Sequence, residues 1–432
     1  MRFDQIYHSW RNRSRPFAGL ARGLAAYGSA ELANRAIRLC ATMVIARRLA
    51  PDIAGQAALV LTLFELIRVL TRTGMGQKII SCSAQDLDAT CNTAARLFWC
   101  WFALLVLVQC AIALALALLS GNHQAGAMLA VLSLVYLWMP GGLVQCNLAM
   151  RAGLTGKLAR TAATQAIADH LLTMVLLLLW ASPWSVVLPK LLTAPIWLVM
   201  TRHAYPWQRT GSAASVPVRQ IARFGAPVMA AEIMNALRSQ GDNLIVATVM
   251  GTSALGTYYF VFNAGVGIVT SLVTAFGTIA FPMLCAAGDT VRRHVALRRI
   301  GLAGLAVFAP LVALQSLSAS WYVPLLFGDR WASASGLVAI LSLTGLSLLA
   351  TTLTTCWLRA DGKPGTDALN SMISCIATLG GLYLGTLSGS LQSAAIGLVA
   401  GQALAAALYA VRILLPALRH PISTPLLKEQ VA

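Results

Sequence analysis

The sequence has few charged residues for its length. Only 11% of its 432 residues are Asp, Glu, Lys or Arg, and only 14 are acidic, whereas soluble domains carry about 25% charged residues. Hydrophobic residues make up 58% of the chain, and apolar runs of about twenty residues, the length of a membrane-spanning helix, recur from end to end. This composition excludes an ordinary soluble protein and predicts an all-α polytopic membrane protein.

Motifs of catalysis and of metal or nucleotide binding are also missing. The nine cysteines include no CxxC pair and no Cys/His cluster at metal-ligand spacing, so packing as small hydrophobic residues is favoured. A phosphate-binding loop ending at Lys157 would need Gly at 151 and Ser or Thr at 158, where the chain has Arg151 and Leu158. We therefore expect no enzyme and no cofactor, with coupling to protons or sodium ions left open.

Apolar windows separated by turn residues and charges predict about twelve spans with short loops. Several windows contain or adjoin proline and glycine residues. Such residues kink a membrane helix, and they are tolerated where neighbouring helices restore the backbone hydrogen bonding. The spans are predicted at 24–46, 54–72, 95–119, 125–147, 161–181, 184–201, 224–249, 255–281, 297–318, 333–357, 367–388 and 392–416.

The distribution of the basic residues gives the orientation. With a cytoplasmic amino terminus, 24 of the 32 Lys and Arg residues fall in inside segments, and only Arg47, Arg48 and Arg330 fall in outside loops. Both termini are therefore predicted to be cytoplasmic. Since the net charge of +18 lies in alternate loops, it indicates membrane orientation and not a nucleic-acid partner.

An internal repeat at an offset of 201 residues divides the chain. The match of 30–34 to 231–235 puts the repeats six spans apart, which indicates a parallel repeat about an axis along the membrane normal; two unrelated amphipathic helices are the alternative. Ala46, Gly55 and Gly76 match Ala247, Gly256 and Gly277 at the same offset. The predicted parts are a basic segment 1–23, a six-helix bundle 24–201, a linker 202–223, a second six-helix bundle 224–418 and a tail 419–432.

Three predicted spans carry ionisable residues inside their apolar sequence. At 3.6 residues per turn, the polar residues of each span share a face. An Arg or Asp at the bilayer centre costs roughly 2.5–3.5 kcal/mol, so these faces are expected to meet around one polar cavity between the two bundles. The residues are Glu31, Asn34, Arg35 and Arg38 in span one, Glu65 and Arg68 in span two, and Glu232, Asn235, Arg238 and Asp242 in span seven.

Two interpretations of these charges stay open. Each span offers an acid and a base at i,i+3 or i,i+4 spacing, and such pairs could neutralise themselves. Arg38 is left without a local acid, and surplus arginine suits an anion because the guanidinium matches phosphate oxygens with two hydrogen bonds. The predicted cationic binding set is Arg35, Arg38, Arg68 and Arg238, and the predicted polar or coupling residues are Glu31, Asn34, Glu65, Glu232, Asn235 and Asp242.

Other polar residues inside spans have a less specific meaning. Asp169, His170 and Lys190 could relay protons, but a paired or interfacial role is favoured. The Tyr-Tyr-Phe run at 258–260 could stack on sugars, but at the start of a span it is more typical of an aromatic belt at the membrane interface.

Three segments in order along the chain resemble Wzx-type polysaccharide flippases, especially the WzxC-like branch. They are ARRLAPDIAGQAALVLTLFELIRVLTRTGMG (46–76), GDNLIVATVMGTSALGTYYFVFN (241–263) and VPLLFGDRWASASGLVAILSLTG (323–345). The resemblance implies the MOP superfamily, which includes MATE exporters and the lipid II flippase. Its fold is two six-helix bundles around a central cleft that opens alternately to either side.

The resemblance also implies a function and partners. Wzx proteins move an undecaprenyl-diphosphate-linked oligosaccharide across the bacterial inner membrane, in association with a polysaccharide polymerase and a chain-length regulator. A cationic lumen fits that cargo. The alternatives are a MATE-like drug or cation antiporter, which should have surplus acid in its lumen, and a membrane polysaccharide polymerase or ligase, which should have a large outside loop. A scaffold subunit without transport would need every buried charge to be paired.

Overall fold

A computed structural model describes residues 36–71, 74–83, 85–209, 216–287 and 290–415. Helices and short turns make up these residues, and no strand occurs in the ranges given. The predicted terminal segments 1–23 and 419–432 lie outside the described residues.

The first half of the chain contains ten described helices. The chain bends by 52° at Pro140, which has no backbone N–H to continue the hydrogen bonding of the preceding helix. The helices are α1 (36–48), α2 (Pro51–Val69), α3 (Met75–Ser81), α4 (Leu87–Leu119), α5 (His123–Leu132), α6 (Val135–Trp138), α7 (Pro140–Arg151), α8 (Thr155–Leu179), α9 (Trp184–Leu192) and α10 (Ala194–Ala204).

The second half begins with one long helix that is broken at Gly251, about ten residues before its end. In α11 (Val218–Val261), Gly251 has φ 85° and ψ 177°, a conformation that glycine adopts without steric cost, so the chain turns there into a second rod. A π-helical turn, Phe262–Val266, leads into α12 (Gly267–Ala286). The remaining elements are α13 (Thr290–Phe327), a 3-10 turn (Asp329–Ala334), α14 (Ser335–Ser342), α15 (Thr344–Ala360), α16 (Pro364–Thr386), α17 (Leu391–Tyr409) and a π-helical turn (Ala410–Leu414).

Joined across their bends, the longer helices form twelve stretches within the described ranges, and each overlaps one predicted span. Eight helical segments there are long and apolar enough to cross a bilayer, and a ninth is added if the bent pair His123–Trp138 and Pro140–Arg151 counts as one. The chain is therefore a multi-pass membrane protein.

The two halves meet through repeat-equivalent glycines on α2 and α11. A methyl group on Gly55 would overlap the carbonyl oxygen of Thr252, and a methyl group on Gly256 would overlap the carbonyl oxygen of Pro51. Both pairs are related by the offset of 201 residues that the sequence predicts. Reciprocal contacts of this kind characterise an interface around a two-fold axis, so a pseudo-two-fold axis passes between Gly55 and Gly256.

Candidate functional site

A cavity lies between the two halves beside this contact, and Gly256 forms part of its lining. We call it the deep cavity. Helices α1, α2, α8 and α9 line it from the first half, and the second rod of α11 lines it from the other half. Its polar and aromatic lining consists of Arg38, Thr42, Glu65, Asp169, His170, Thr173, Lys190, Tyr259, Phe260, Asn263 and Trp331.

A second cavity adjoins the deep cavity at Glu65, which lines both. We call it the inner cavity, because it continues along α2 toward the side that the charge distribution predicts to be cytoplasmic. Its polar lining consists of Glu65, Arg68, Thr71, Gln77, Cys146, Asn147 and Glu232. Glu232 comes from α11, so both halves contribute charge to this cavity.

The predicted residue Arg38 lies on α1 and lines the deep cavity in a half-buried position. A methyl group at Gly267 would lie 3.5 Å from Arg38 Nη2, which places the guanidinium beside α12 of the opposite half. Among the described residues, no carboxylate forms an ion pair with Arg38. The geometry leaves this side chain able to bind an anion in the cavity.

Glu65 and Arg68 form the i,i+3 pair that their spacing allows. Glu65 Oε2 accepts hydrogen bonds from Arg68 Nε at 2.9 Å and from Nη2 at 2.5 Å. The pair therefore neutralises itself at the junction of the two cavities, and Arg68 needs to leave Glu65 before it can bind a cargo with both nitrogen atoms.

The structure places Asp242 away from both cavities. Its carboxylate is buried and accepts hydrogen bonds from the Tyr258 hydroxyl and from the Asn243 backbone N–H, each at 2.8 Å. Tyr258 is itself buried, and Phe260 packs on Trp331 with ring centroids 3.9 Å apart. The aromatic-belt interpretation of 258–260 is therefore wrong, because these rings fill the interior near the interface of the halves.

Five predicted site residues have side chains outside the described part of the structure. Glu31, Asn34 and Arg35 lie outside the described residues, as do the side chains of Asn235 and Arg238. The described charges that line the two cavities balance, with three bases facing three acids: Arg38, Arg68 and Lys190 against Glu65, Asp169 and Glu232. An excess of cations in the lumen thus depends on Arg35 and Arg238 and stays a prediction.

Sequence reasoning left Asp169 and Lys190 out of the site, although both line the deep cavity. Lys190 Nζ lies 2.5 Å from Asp169 Oδ2, so the favoured interpretation of a paired role is confirmed. The signal that could have placed them in the site was the proline-rich sequence of 183–195. Breaks in membrane helices often mark the binding sites of transporters.

The end of the molecule that the charge distribution predicts to be outside carries the loop 49–50 and the 3-10 turn, and we call it the outer end. Hydrogen bonds between the halves close it. Arg47 donates to the carbonyl oxygens of Leu325 and Leu326 at 3.0–3.1 Å. In return, the Trp331 indole N–H donates to the carbonyl oxygen of Ala46 at 2.8 Å. Arg330 also bonds across the halves, to the carbonyl oxygen of Leu49. Arg48 donates to the carbonyl oxygens of Leu177 and Leu178 within the first half. All three arginines predicted in outside loops thus cap helix ends, where cations are favoured.

Comparisons with known proteins agree with this architecture. The model of a family described as "Polysaccharide biosynthesis protein" matches residues 44–336. The succinoglycan biosynthesis transport protein ExoT of Rhizobium meliloti (strain 1021) is 23% identical in an alignment of 377 positions, which covers 82% of this chain and 72% of ExoT. The lipopolysaccharide biosynthesis protein WzxC of Escherichia coli (strain K12) is 29% identical over 126 residues, which are 29% of this chain and 25% of WzxC.

Solved structures share the fold at low sequence identity. The lipid II flippase MurJ, in an inward closed conformation, superimposes with a TM-score of 0.74 at 10% identity, over 90% of this chain and 87% of MurJ. An inward-facing multidrug resistance MATE family transporter of the MOP superfamily gives a TM-score of 0.69 at 14% identity, over 89% of this chain and 95% of that transporter. The predicted fold of two six-helix bundles around a central cleft is confirmed.

Proposed function

Because the chain belongs to the polysaccharide biosynthesis protein family, whose model matches more than half of it, we propose that it is a flippase for a lipid-linked oligosaccharide. The predicted resemblance to WzxC-like proteins of the MOP superfamily is confirmed by these comparisons. We propose an undecaprenyl-diphosphate-linked glycan as the cargo and the bacterial inner membrane as the location, with transport and not catalysis as the activity.

The observation that supports this cargo most strongly is Arg38 in the deep cavity. Its guanidinium lies between the halves and is not paired to a described acid. A guanidinium binds phosphate oxygens through two parallel hydrogen bonds, and such charge-assisted bonds are stronger than neutral ones. A diphosphate head in the cavity would supply the missing counter-charge, while the polyprenyl chain stays in lipid.

The proposed movement follows from the closed outer end. The inner cavity receives the polar head from the predicted cytoplasmic side, and the halves then rotate about the Gly55–Gly256 contact. Rotation separates Arg47 from Leu325 and Leu326, and Trp331 from Ala46, so the deep cavity opens outward. This is alternating access by rigid-body motion of two repeats around a fixed site.

An antiporter of cationic compounds is the second candidate, because a multidrug resistance MATE family transporter shares the fold. The described lining has equal numbers of acids and bases and so lacks the surplus of acid that such an antiporter should have. The two functions differ in what a cell without the gene loses. Loss of a flippase abolishes surface polysaccharide, whereas loss of an antiporter raises the sensitivity of the cell to cationic dyes and leaves the polysaccharide intact.

The test is polysaccharide export in a strain in which the gene is deleted and variants are supplied in its place. We expect the wild type to restore export, and Arg38→Ala and Arg238→Ala to reduce it about ten-fold or more, since each removes charge-assisted bonds to phosphate. Arg202→Ala is the matched control, because Arg202 donates to the carbonyl oxygen of Gly141 outside both cavities. Normal export by both lumen variants at wild-type protein levels would refute the assignment.

A further inference from the structure

We propose that Lys190 is a second anion-binding residue of the deep cavity, and that Asp169 is its counterion only until the anionic head of the cargo arrives. The inference rests on the proposed function and names a residue of the same site. The chemical class of the ligand is a phosphate or diphosphate ester.

The geometry of the pair sets Lys190 toward the cavity and Asp169 toward the protein. The Asp169 side chain is 8% exposed, whereas the Lys190 side chain is 34% exposed. An ammonium group has three donors, and in the described part of the chain only Asp169 Oδ2 accepts from it, at 2.5 Å. Lys190 therefore has donors left for a ligand in the cavity.

The Lys190–Asp169 ion pair also has fewer supporting hydrogen bonds than a purely structural salt bridge would need. The desolvation cost of a buried ion pair is repaid only if further hydrogen bonds satisfy its remaining atoms. Asp169 Oδ1 is buried and has no hydrogen-bond partner among the described residues. An incoming anion would therefore compete for Lys190 with a carboxylate that is held by a single contact.

The position of Lys190 in the chain fits a ligand site. It lies in the last turn of α9, just before the helix breaks at Thr193 and restarts as α10. Pro189 and Pro195 flank the break, and Pro195 has no N–H to continue α9. Broken helices of this kind line the substrate sites of secondary transporters.

Lys190 and Arg38 would act together on a diphosphate. They come from α9 and α1, and both line the deep cavity. A diphosphate carries two phosphoryl groups, so one cation for each is a chemically complete arrangement. Arginine supplies a planar fork and lysine a compact point charge with rotatable donors, which suits a ligand that has to be released again.

The experiment measures thermal unfolding of the purified full-length protein in detergent as inorganic pyrophosphate is added, with sodium chloride at equal ionic strength as the reference. We expect Lys190→Met to need about ten-fold or more pyrophosphate for the same rise in Tm, and Lys190→Arg to stay near wild type. We expect Asp169→Asn to need less pyrophosphate than the wild type, because it removes the competing charge. For each variant we compare how the rise in Tm depends on the pyrophosphate concentration, because the variants differ in Tm even without pyrophosphate.

Arg359→Met is the matched control. Arg359 Nε lies 2.7 Å from the buried Asp367 Oδ2, at the end of α15 and outside both cavities. This variant loses the same charge as Lys190→Met and also leaves a carboxylate without its base. We expect its Tm to fall and its pyrophosphate dependence to match the wild type.

Opposite shifts for Lys190→Met and Asp169→Asn support the inference, because a structural ion pair would move both variants in the same direction. A Lys190→Met curve that coincides with the wild-type curve overturns the inference alone and leaves the proposed function standing. A wild type that pyrophosphate does not stabilise overturns the anion site of the proposed function as well.

Discussion

The buried carboxylate of Asp242 is held by two donors on either side of a turn. The Tyr258 hydroxyl lies on the second rod of α11 and the Asn243 N–H on the first, with the break at Gly251 between Asp242 and Tyr258. The hydrogen bond from Tyr258 therefore joins the two rods. In this structure Asp242 stabilises the helical hairpin, and it does not line either cavity.

Tyr258→Phe is predicted to destabilise the protein by about 1.5–3 kcal/mol, the usual value of a hydrogen bond to a charged group. The variant leaves the buried Asp242 with one donor fewer. Thermal unfolding of the purified variant measures the loss, and export per folded molecule should stay at the wild-type level. Export lost at an unchanged Tm would instead assign Asp242 to the transport pathway, as its sequence position predicts.

Single residues also show what the sequence could and could not give. Arg38 and Glu65 were predictable as cavity residues because a charge in an apolar span needs a polar environment. Asp242 is also a charge in an apolar span, but it stabilises the helical hairpin and does not line a cavity. The sequence could not show this, because spacing along one helix does not reveal which neighbouring element covers a given face. Asp169 and Lys190 lie 21 residues apart on different helices, so their contact depends on packing that periodicity does not encode.

In the second half, α16 and α17 pack backbone against backbone through their glycines. A methyl group on Gly381 would overlap the carbonyl oxygen of Gly397, and a methyl group on Gly397 would overlap that of Gly381. Small residues let membrane helices approach this closely, and the resulting van der Waals packing drives their association.

Gly381→Ala is predicted to lower stability by about 1–3 kcal/mol or more, because the added carbon overpacks a backbone contact. The neighbouring Gly380 has no atom within 4 Å of the position of an added carbon. Gly380→Ala should therefore be neutral or stabilising by up to about 1 kcal/mol, the helix preference of Ala over Gly. Thermal unfolding of the two variants side by side checks this, and equal Tm values would contradict the close contact.

The helix ends at the outer end form the second feature at this scale. Arg47 contributes two hydrogen bonds to the end of α13, so Arg47→Ala should destabilise the closed state by roughly 1.5–3 kcal/mol and raise the outward-open population about ten-fold or more. The measurement is labelling of Thr42→Cys in the deep cavity by a membrane-impermeant maleimide from outside, in a background without the nine native cysteines.

Arg202→Ala controls for a general loss of stability in this labelling experiment. Arg202 also binds a helix carbonyl oxygen, that of Gly141, but it does so within the first half. Its labelling rate should equal that of the unmodified background. A rate that rises as much as with Arg47→Ala would show that the outer hydrogen bonds do not control access.

At the scale of the whole molecule, the repeat seen in the sequence becomes a symmetric interface. The offset of 201 residues predicts which positions are equivalent, and Gly55 and Gly256 are among them. That these two glycines touch each other could not be predicted, since equivalence says nothing about distance from the axis. The number of helices was predictable because the bilayer sets the length of an apolar span, whereas the bends within spans follow from local prolines and glycines.

The boundaries of the predicted bundles, 24–201 and 224–418, stay a prediction.

Several contacts between the halves are backbone contacts near the outer end, including those of Gly55 and Gly256. A rotation of one half against the other should therefore pivot at this contact, and it would change the two cavities as well as the hydrogen bonds of Arg47 and Trp331.

The most direct measurement of the proposed transport uses the purified protein in liposomes with a fluorescent undecaprenyl-diphosphate-linked oligosaccharide. A quencher that cannot cross the bilayer reports the fraction of cargo in the outer leaflet over time. We predict that vesicles with the wild type expose inner-leaflet cargo to the quencher, that Arg38→Ala slows this exposure about ten-fold or more, and that the same glycan on a neutral lipid does not move. Wild-type vesicles that behave like protein-free vesicles would contradict transport by this protein, and Arg38→Ala vesicles as fast as the wild type would contradict the anion site.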